Sequence, residues 1–263
     1  MGKFKKLIKA AGLLLKKPYL LNKVIDDDAN WMQTVSREYG IERLPEVAFR
    51  EMLGGKQISV SPFSFLEGGS LPTDLALLRL LASRFQACEY FEIGTWRGES
   101  VANVAEVASS CTTMNLSVQQ MKDQGMPDEY IMQYAMYSRD VANVLHLEGN
   151  SLEFDFSSLD RKFDLVFIDG DHHFESILSD TKNVFEHLLH NESIVVWHDH
   201  AWQPGHVRYE TLAAILSGVP RQLHKNLYEV RNTLCAIYFP GEIASGPAAV
   251  VASKDETFTV IIE

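Results

Sequence analysis

Two short runs concentrate the side chains that could do chemistry in this chain. Asp169-Gly170-Asp171-His172-His173 follows the apolar run Phe163–Ile168, and His198-Asp199-His200 follows Ile194–Trp197. Runs of this length, rich in β-branched and aromatic residues, read as buried strands. Both clusters therefore lie at strand ends, and in a doubly wound sheet those two ends are neighbours. Carboxylates and imidazoles gathered at one point suit a divalent cation. A hydroxyl bound to such a cation loses its proton more readily, and a nearby histidine can accept that proton at neutral pH. Adjacent residues point in different directions, so His172 and His173 cannot both face one site.

A third stretch, Cys88–Ser100, must lie on the same rim. Tyr90, Phe91 and Ile93 make a strand, Gly94 and Gly98 bracket a turn, and Ser100–Ala108 reads as a helix. A strand that stops at a glycine and re-enters a helix presents free N–H groups and a positive dipole end. Trp96 stands where a dinucleotide turn needs its second glycine, so a pyrophosphate would meet an indole. Cys111–Ser117 is the second strand, with Asn115 where Rossmann-like folds often carry an acid for ribose hydroxyls. Asn115 reads either as a ribose contact or as a polar turn residue. Pro127–Asp140 is an expected helix, Val144–Leu147 a strand, Phe174–Leu189 a helix, Val207–Leu216 a helix, and Tyr228–Val230 with Leu234–Phe239 a closing antiparallel pair. Alternating strands and helices build a parallel sheet covered on both faces. The fold class is thus α/β, a doubly wound Rossmann-like, mostly parallel sheet with an N-terminal helical extension. The expected division is 1–60 for the extension, 61–240 for the main domain and 241–263 for an appendage, in which Phe258–Ile262 would add an edge strand.

Phe91–Ser100 (F-E-I-G-T-W-R-G-E-S), Phe163–His173 and Ile194–His200 (I-V-V-W-H-D-H) together resemble the class I S-adenosylmethionine-dependent methyltransferases, in particular the macrocin O-methyltransferase-like subfamily. The resemblance covers roughly residues 70–240. It implies strand order 3-2-1-4-5-7-6 with an antiparallel last strand. It implies a cofactor site of Glu92, Gly94, Thr95, Trp96, Arg97, Ser100, Asn115, Asn150, Ser151, Asp169, Gly170 and Asp171, with Asn150 either reading the adenine edge or simply turning the chain. In metal-dependent relatives the matching positions make Asp169, His198 and Asp199 the ligands of Mg²⁺ or another divalent ion, and His172, beside Asp169, the catalytic base. His198 departs from that pattern, which has a carboxylate there. A Gly94→Val substitution is expected to abolish cofactor binding with the domain still folded.

The chain has 263 residues, 46% of them apolar and 22% charged, as for an ordinary globular protein. A net charge of −11 argues against a general nucleic-acid partner. Three widely spaced cysteines, Cys88, Cys111 and Cys235, read as buried thiols of a reducing compartment. Seven lysines, from Lys3 to Lys23, precede the first acid, Asp26, so with a total of −11 the remainder carries −18. Phe4, Leu7, Ile8, Ala11, Leu14 and Leu15 recur between them at helical spacing, the pattern of a basic amphipathic helix that meets a membrane surface or a partner. The expected enzyme is a cytoplasmic, bacterial-type O-methyltransferase, peripheral to the inner face of the membrane, acting on a small-molecule or sugar acceptor, alone or as a homo-oligomer. Two alternatives stand beside it. Asp171-His172-His173 also spells a phosphoesterase signature, implying a metal-dependent hydrolase, and a catalytically inactive binding protein could keep the same fold.

Overall fold

The structure, a computed structural model, describes residues 2–16, 28–66 and 68–247. In chain order the elements are α1 (Lys3–Lys16), α2 (Asp28–Tyr39), β1 (Glu46–Val47), α3 (Phe49–Leu53), α4 (Pro72–Ala82), β2 (Glu89–Ile93), α5 (Glu99–Ala105), β3 (Ser110–Asn115), α6 (Val118–Asp123), α7 (Asp128–Met132), β4 (Val144–Glu148), β5 (Phe163–Ile168), α8 (Phe174–Asn183), β6 (Leu189–Trp197), β7 (Ala201–Gln203), β8 (His206–Val207), α9 (Tyr209–Gly218), β9 (Leu227–Val230) and β10 (Ala236–Tyr238).

Eight strands form one sheet in the order β1-β9-β10-β6-β5-β2-β3-β4, and β7 pairs with β8 apart from it. Counted from β2, the seven core strands run 3-2-1-4-5-7-6, and β10 is antiparallel to both of its neighbours. This is the methyltransferase type of Rossmann-like sheet, as the motifs imply. Alternate residues of each strand feed opposite faces. Phe91, Ile93, Val166, Ile168 and Trp197 pack with Val35 of α2, Ile177 of α8 and Ile215 of α9. Tyr90, Leu165, Phe167 and Val196 pack with Leu77 and Leu81 of α4 and Val104 of α5. The three cysteines are buried and unpaired with one another.

Several elements differ from the sequence expectation. Within the expected N-terminal extension, residues 28–49 send side chains into the core. Val35, Leu44, Val47 and Phe49 are buried, and the Asp28 carboxylate accepts from the Tyr209 N–H at 2.7 Å. Pro45–Leu53, which by its residues reads as a short helix, splits into β1 and α3, because Glu46 and Val47 find a partner in β9. Tertiary pairing overrides a weak local helix preference there. Pro127–Asp140 is helical only over α7. Its second half turns to meet the glycine loop, with Ala135 N–H donating to the Trp96 carbonyl at 2.6 Å and Tyr137 N–H to that of Arg97 at 2.9 Å. The helix expected through Leu189 ends as a π-helical turn at Val184–Leu188, and β6 starts earlier than the apolar run suggests. Lys17, Lys23 and the edge strand expected at Phe258–Ile262 lie outside the described residues.

Candidate active site

Gly94 closes β2 in the left-handed region at φ 98°, and a β-carbon there would lie 1.9 Å from the Asp169 carbonyl oxygen. Only glycine lets the ends of β2 and β5 touch. The expectation that Gly94→Val spares the fold is therefore overturned. Gly98, at φ 79°, likewise faces Ser138, whose Oγ would sit 2.1 Å from an added β-carbon.

The turn between them is built as a stack. Trp96, itself at φ 32°, has its ring against Tyr130 (centroids 4.9 Å, 11° between planes) and the Arg97 guanidinium at 3.9 Å. Arg97 is buried and donates to the Glu99 carboxylate at 3.0 Å, so it holds the turn from within. Glu99 also accepts from Ser64 N–H at 2.8 Å, and Asn103 binds Ser61 N–H and the Pro62 carbonyl. The aromatic loop before α4 is thus strapped along α5, beside the glycine turn.

Glu92 does not reach the rim. Its side chain is fully buried, accepting from Tyr90 Oη at 2.6 Å and Thr113 Oγ1 at 3.2 Å. Burial pushes its carboxyl up, against the hydrogen bonds of Tyr90 and Ser100, to about 8. It braces the turn from below and is not placed for direct cofactor contact. For the same reason it cannot serve as the upstream carboxylate that a two-metal phosphoesterase needs. Thr95 is buried and bonded to Thr113 Oγ1 at 2.6 Å. Asn115 donates to the Leu116 carbonyl at 3.1 Å, and Asn150 accepts from Leu152 N–H at 3.2 Å, so both have turn duties at the ends of their strands. Asp171 faces α8, taking bonds from His173 Nδ1 at 2.6 Å and Ser176 Oγ at 2.8 Å.

A residue absent from the sequence reading ties two loops of this rim together. Asp180 of α8 is buried, bonds with Ser151, and has Oδ2 within 3.5 Å of where a Gly170 β-carbon would lie. Burial raises its carboxyl to about 6. The loop after β4 and the loop after β5 therefore meet over one side chain.

The acid and imidazole cluster converges as expected, with one exchange of roles. His198 is buried with both ring nitrogens facing carboxylates: Nδ1 lies 3.1 Å from Asp169 Oδ1 and 3.6 Å from Asp199 Oδ1, and Nε2 lies 3.2 Å from Asp74 Oδ2. A ring flanked on both sides by acceptors must donate from both nitrogens, which only the imidazolium can do. Burial opposes that charge, but Asp169 and the bonds to Asp169, Asp199 and Asp74 hold the ring well above its ordinary value. His198, expected among the ligands, spends both ring nitrogens on these carboxylates. The described residues whose atoms do gather within 4.8 Å of one another are Asp169, His172 and Asp199. Sequence reasoning missed Asp74 because it reads as a helix-start residue. It does serve α4, accepting from Leu71 N–H at 2.7 Å, while also holding Leu234 N–H at 2.8 Å and His198.

Asp199 is held at φ 51°, in the left-handed region, which turns its carboxylate back toward the cluster. Burial pushes it up, but the bond and charge of His198, then the charges of His172 and Arg208, bring it down to about 2. Its Oδ2 lies 3.1 Å from His172 Nδ1. His172 is half-exposed, and its backbone carbonyl accepts from Arg208 Nη2 at 3.3 Å.

Residues 91–200 match the family model of a methyltransferase domain. No curated protein matches the chain. Among solved structures the chain is similar to the SAH-bound methyltransferase PaMTH1 of Podospora anserina, at 17% identity over 73% of this chain and 87% of that one, TM-score 0.46. It is also similar to an O-methyltransferase of Bacillus cereus in complex with SAH, at 14% identity over 79% and 96%, TM-score 0.45. A Bacillus halodurans protein described as a candidate methyltransferase is similar at 16% identity over 48% of this chain, TM-score 0.37, and the chain spans only 50% of its length. The strand order is that of the methyltransferase type of sheet, and residues 91–200, which carry the glycine turn and both acid–imidazole runs, are the part that matches a methyltransferase domain.

Proposed function

We propose that this domain transfers the methyl group of S-adenosylmethionine to a hydroxyl oxygen of a small-molecule or sugar acceptor, with His172 as general base. One observation carries the reading. His172 Nδ1 meets Asp199 at 3.1 Å on the rim where the cofactor loops converge. Donation from Nδ1 to the ionised Asp199 selects the tautomer whose Nε2 is the acceptor, and Arg208 steadies the backbone of the same residue. In the step, Nε2 takes the acceptor's hydroxyl proton, the oxygen forms a bond to the methyl carbon, and the carbon–sulfur bond breaks to leave S-adenosylhomocysteine and the methyl ether. The cofactor supplies an activated methyl group. The chain aligns the acceptor and removes its proton, and positioning supplies much of the acceleration.

The turn fits this cofactor better than a dinucleotide. The Trp96 ring, stacked on Tyr130 and touched by the Arg97 guanidinium, stands at the turn position where a dinucleotide site needs glycine for its pyrophosphate, whereas a nucleoside without phosphate makes no such demand. Thr95, Asn115, Asn150, Ser151, Asp169 and Gly170 are the residues we place around it.

A divalent cation is a second reading, favoured by the gathering of Asp169, His172 and Asp199. Two carboxylates and an imidazole suit such an ion, and Asp74, Asp169 and Asp199 outnumber the single charge of His198. The ion would lower the pKa of a coordinated hydroxyl, and His172 would then serve as ligand instead of base. Calorimetric titration with S-adenosylmethionine and with NADH, each with and without Mg²⁺ or Mn²⁺, tests both readings. Binding of S-adenosylmethionine that is unchanged by metal supports the histidine base. Binding of NADH alone would overturn methyl transfer.

A further inference from the structure

The methyltransferase site leaves α1 unexplained. None of its residues is buried, and Phe4, Leu7, Ile8 and Leu15 are 73%, 65%, 59% and 84% exposed. At helical spacing these four, with Ala11 and Leu14, form one stripe roughly 120° wide. Lys5, Lys9 and Lys16 run along one edge of it and Lys3 along the other, with Lys6 behind. Residues 3–16 hold no acid. Among the described residues no lysine of α1 forms an ion pair, although the rest of the chain is strongly acidic.

We propose that α1 docks on an anionic lipid bilayer and lies in the plane of its interface. The apolar stripe would enter the acyl boundary, as in interfacial helices. Lysines on both edges would reach up to a plane of negative charge on both sides of the stripe, their stems covering apolar surface. A flat anionic surface offers that two-sided complement. Acidic residues elsewhere oppose approach, but only within about 8 Å at physiological salt, so a basic segment must make the contact. Each lysine near such a surface contributes about fivefold in affinity. This inference concerns a different surface from the methyl-transfer reading and does not rest on it.

The test is sedimentation of the full chain with vesicles of phosphatidylcholine alone or mixed with phosphatidylglycerol. Binding is expected to the anionic vesicles only, with a fall of at least tenfold in 0.5 M NaCl. Leu7→Glu with Ile8→Glu is expected to abolish it, and Lys5→Glu with Lys9→Glu to weaken it at least 25-fold. Leu13→Gln, on the lysine side of the helix, is expected to leave it unchanged. Absence of vesicle binding, equal binding by wild type and both double variants, or an α1-dependent dimer without vesicles would overturn the proposal. S-adenosylmethionine affinity of the same variants, expected to be unchanged, reports separately on the methyl-transfer site.

Discussion

At the scale of residues, His172 and Asp199 act as a pair. Replacing His172 with Gln is expected to lower turnover by about 10²- to 10⁴-fold, the usual contribution of a positioned base, with S-adenosylmethionine affinity unchanged by calorimetry. Unchanged turnover would remove His172 from the mechanism. Glu92 carries a different prediction. Its carboxyl stays protonated in the fold up to about 8, whereas an unfolded glutamate ionises near 4.5. Below pH 4.5 both states bind the proton. Between 4.5 and 8 only the folded state does, so stability falls as pH rises through that window and levels off above it. The loss is on the order of a few kcal/mol for a shift of this size. Urea unfolding across that range should show the slope in wild type and a flatter profile in Glu92→Gln. Parallel profiles would mean that Glu92 is ionised in the folded protein.

Elements decide which glycines matter. Gly98 and Gly125 both lie at positive φ, 79° and 73°, but an added β-carbon meets Ser138 at the first and nothing within 4 Å at the second. Gly125→Ala carries only the backbone penalty, about 1 kcal/mol. Gly98→Ala adds overpacking, roughly 1–3 kcal/mol more, and should displace the loop that docks on Trp96 and Arg97. Thermal unfolding of the two variants side by side measures the difference, and equal losses would show that Ser138 yields freely. The same loop explains why Pro127–Asp140 does not finish its helix. The carbonyls of Trp96 and Arg97 offer partners to the Ala135 and Tyr137 N–H groups that further helical turns would have used internally. Nothing in residues 127–140 announces this, because the partners lie some forty positions upstream.

For the whole molecule, the three loops of the site are held by one sheet, so ligand binding and stability are linked. S-adenosylhomocysteine at a hundred times its Kd is expected to add about 2.7 kcal/mol to unfolding free energy, with no effect from NADH at the same concentration. No rise in melting temperature would argue against a preformed site. The sheet itself was legible in the chain. The apolar runs at β2, β5 and β6, the glycine, aspartate and histidine residues that end them and the alternation with helices determine the doubly wound architecture, because burial on both faces demands uninterrupted apolar strands. Strand-end placement likewise told which acids and imidazoles would share a rim. Which of them face the cleft was decided only by tertiary structure. His198 and His172 are equivalent as letters, yet Asp74, far upstream on α4, takes the free nitrogen of His198 and makes it a buried cation, while the left-handed turn at Asp199 hands its other oxygen to His172. Side-chain direction depends on partners brought from elsewhere in the chain, and spacing along one segment carries no record of them.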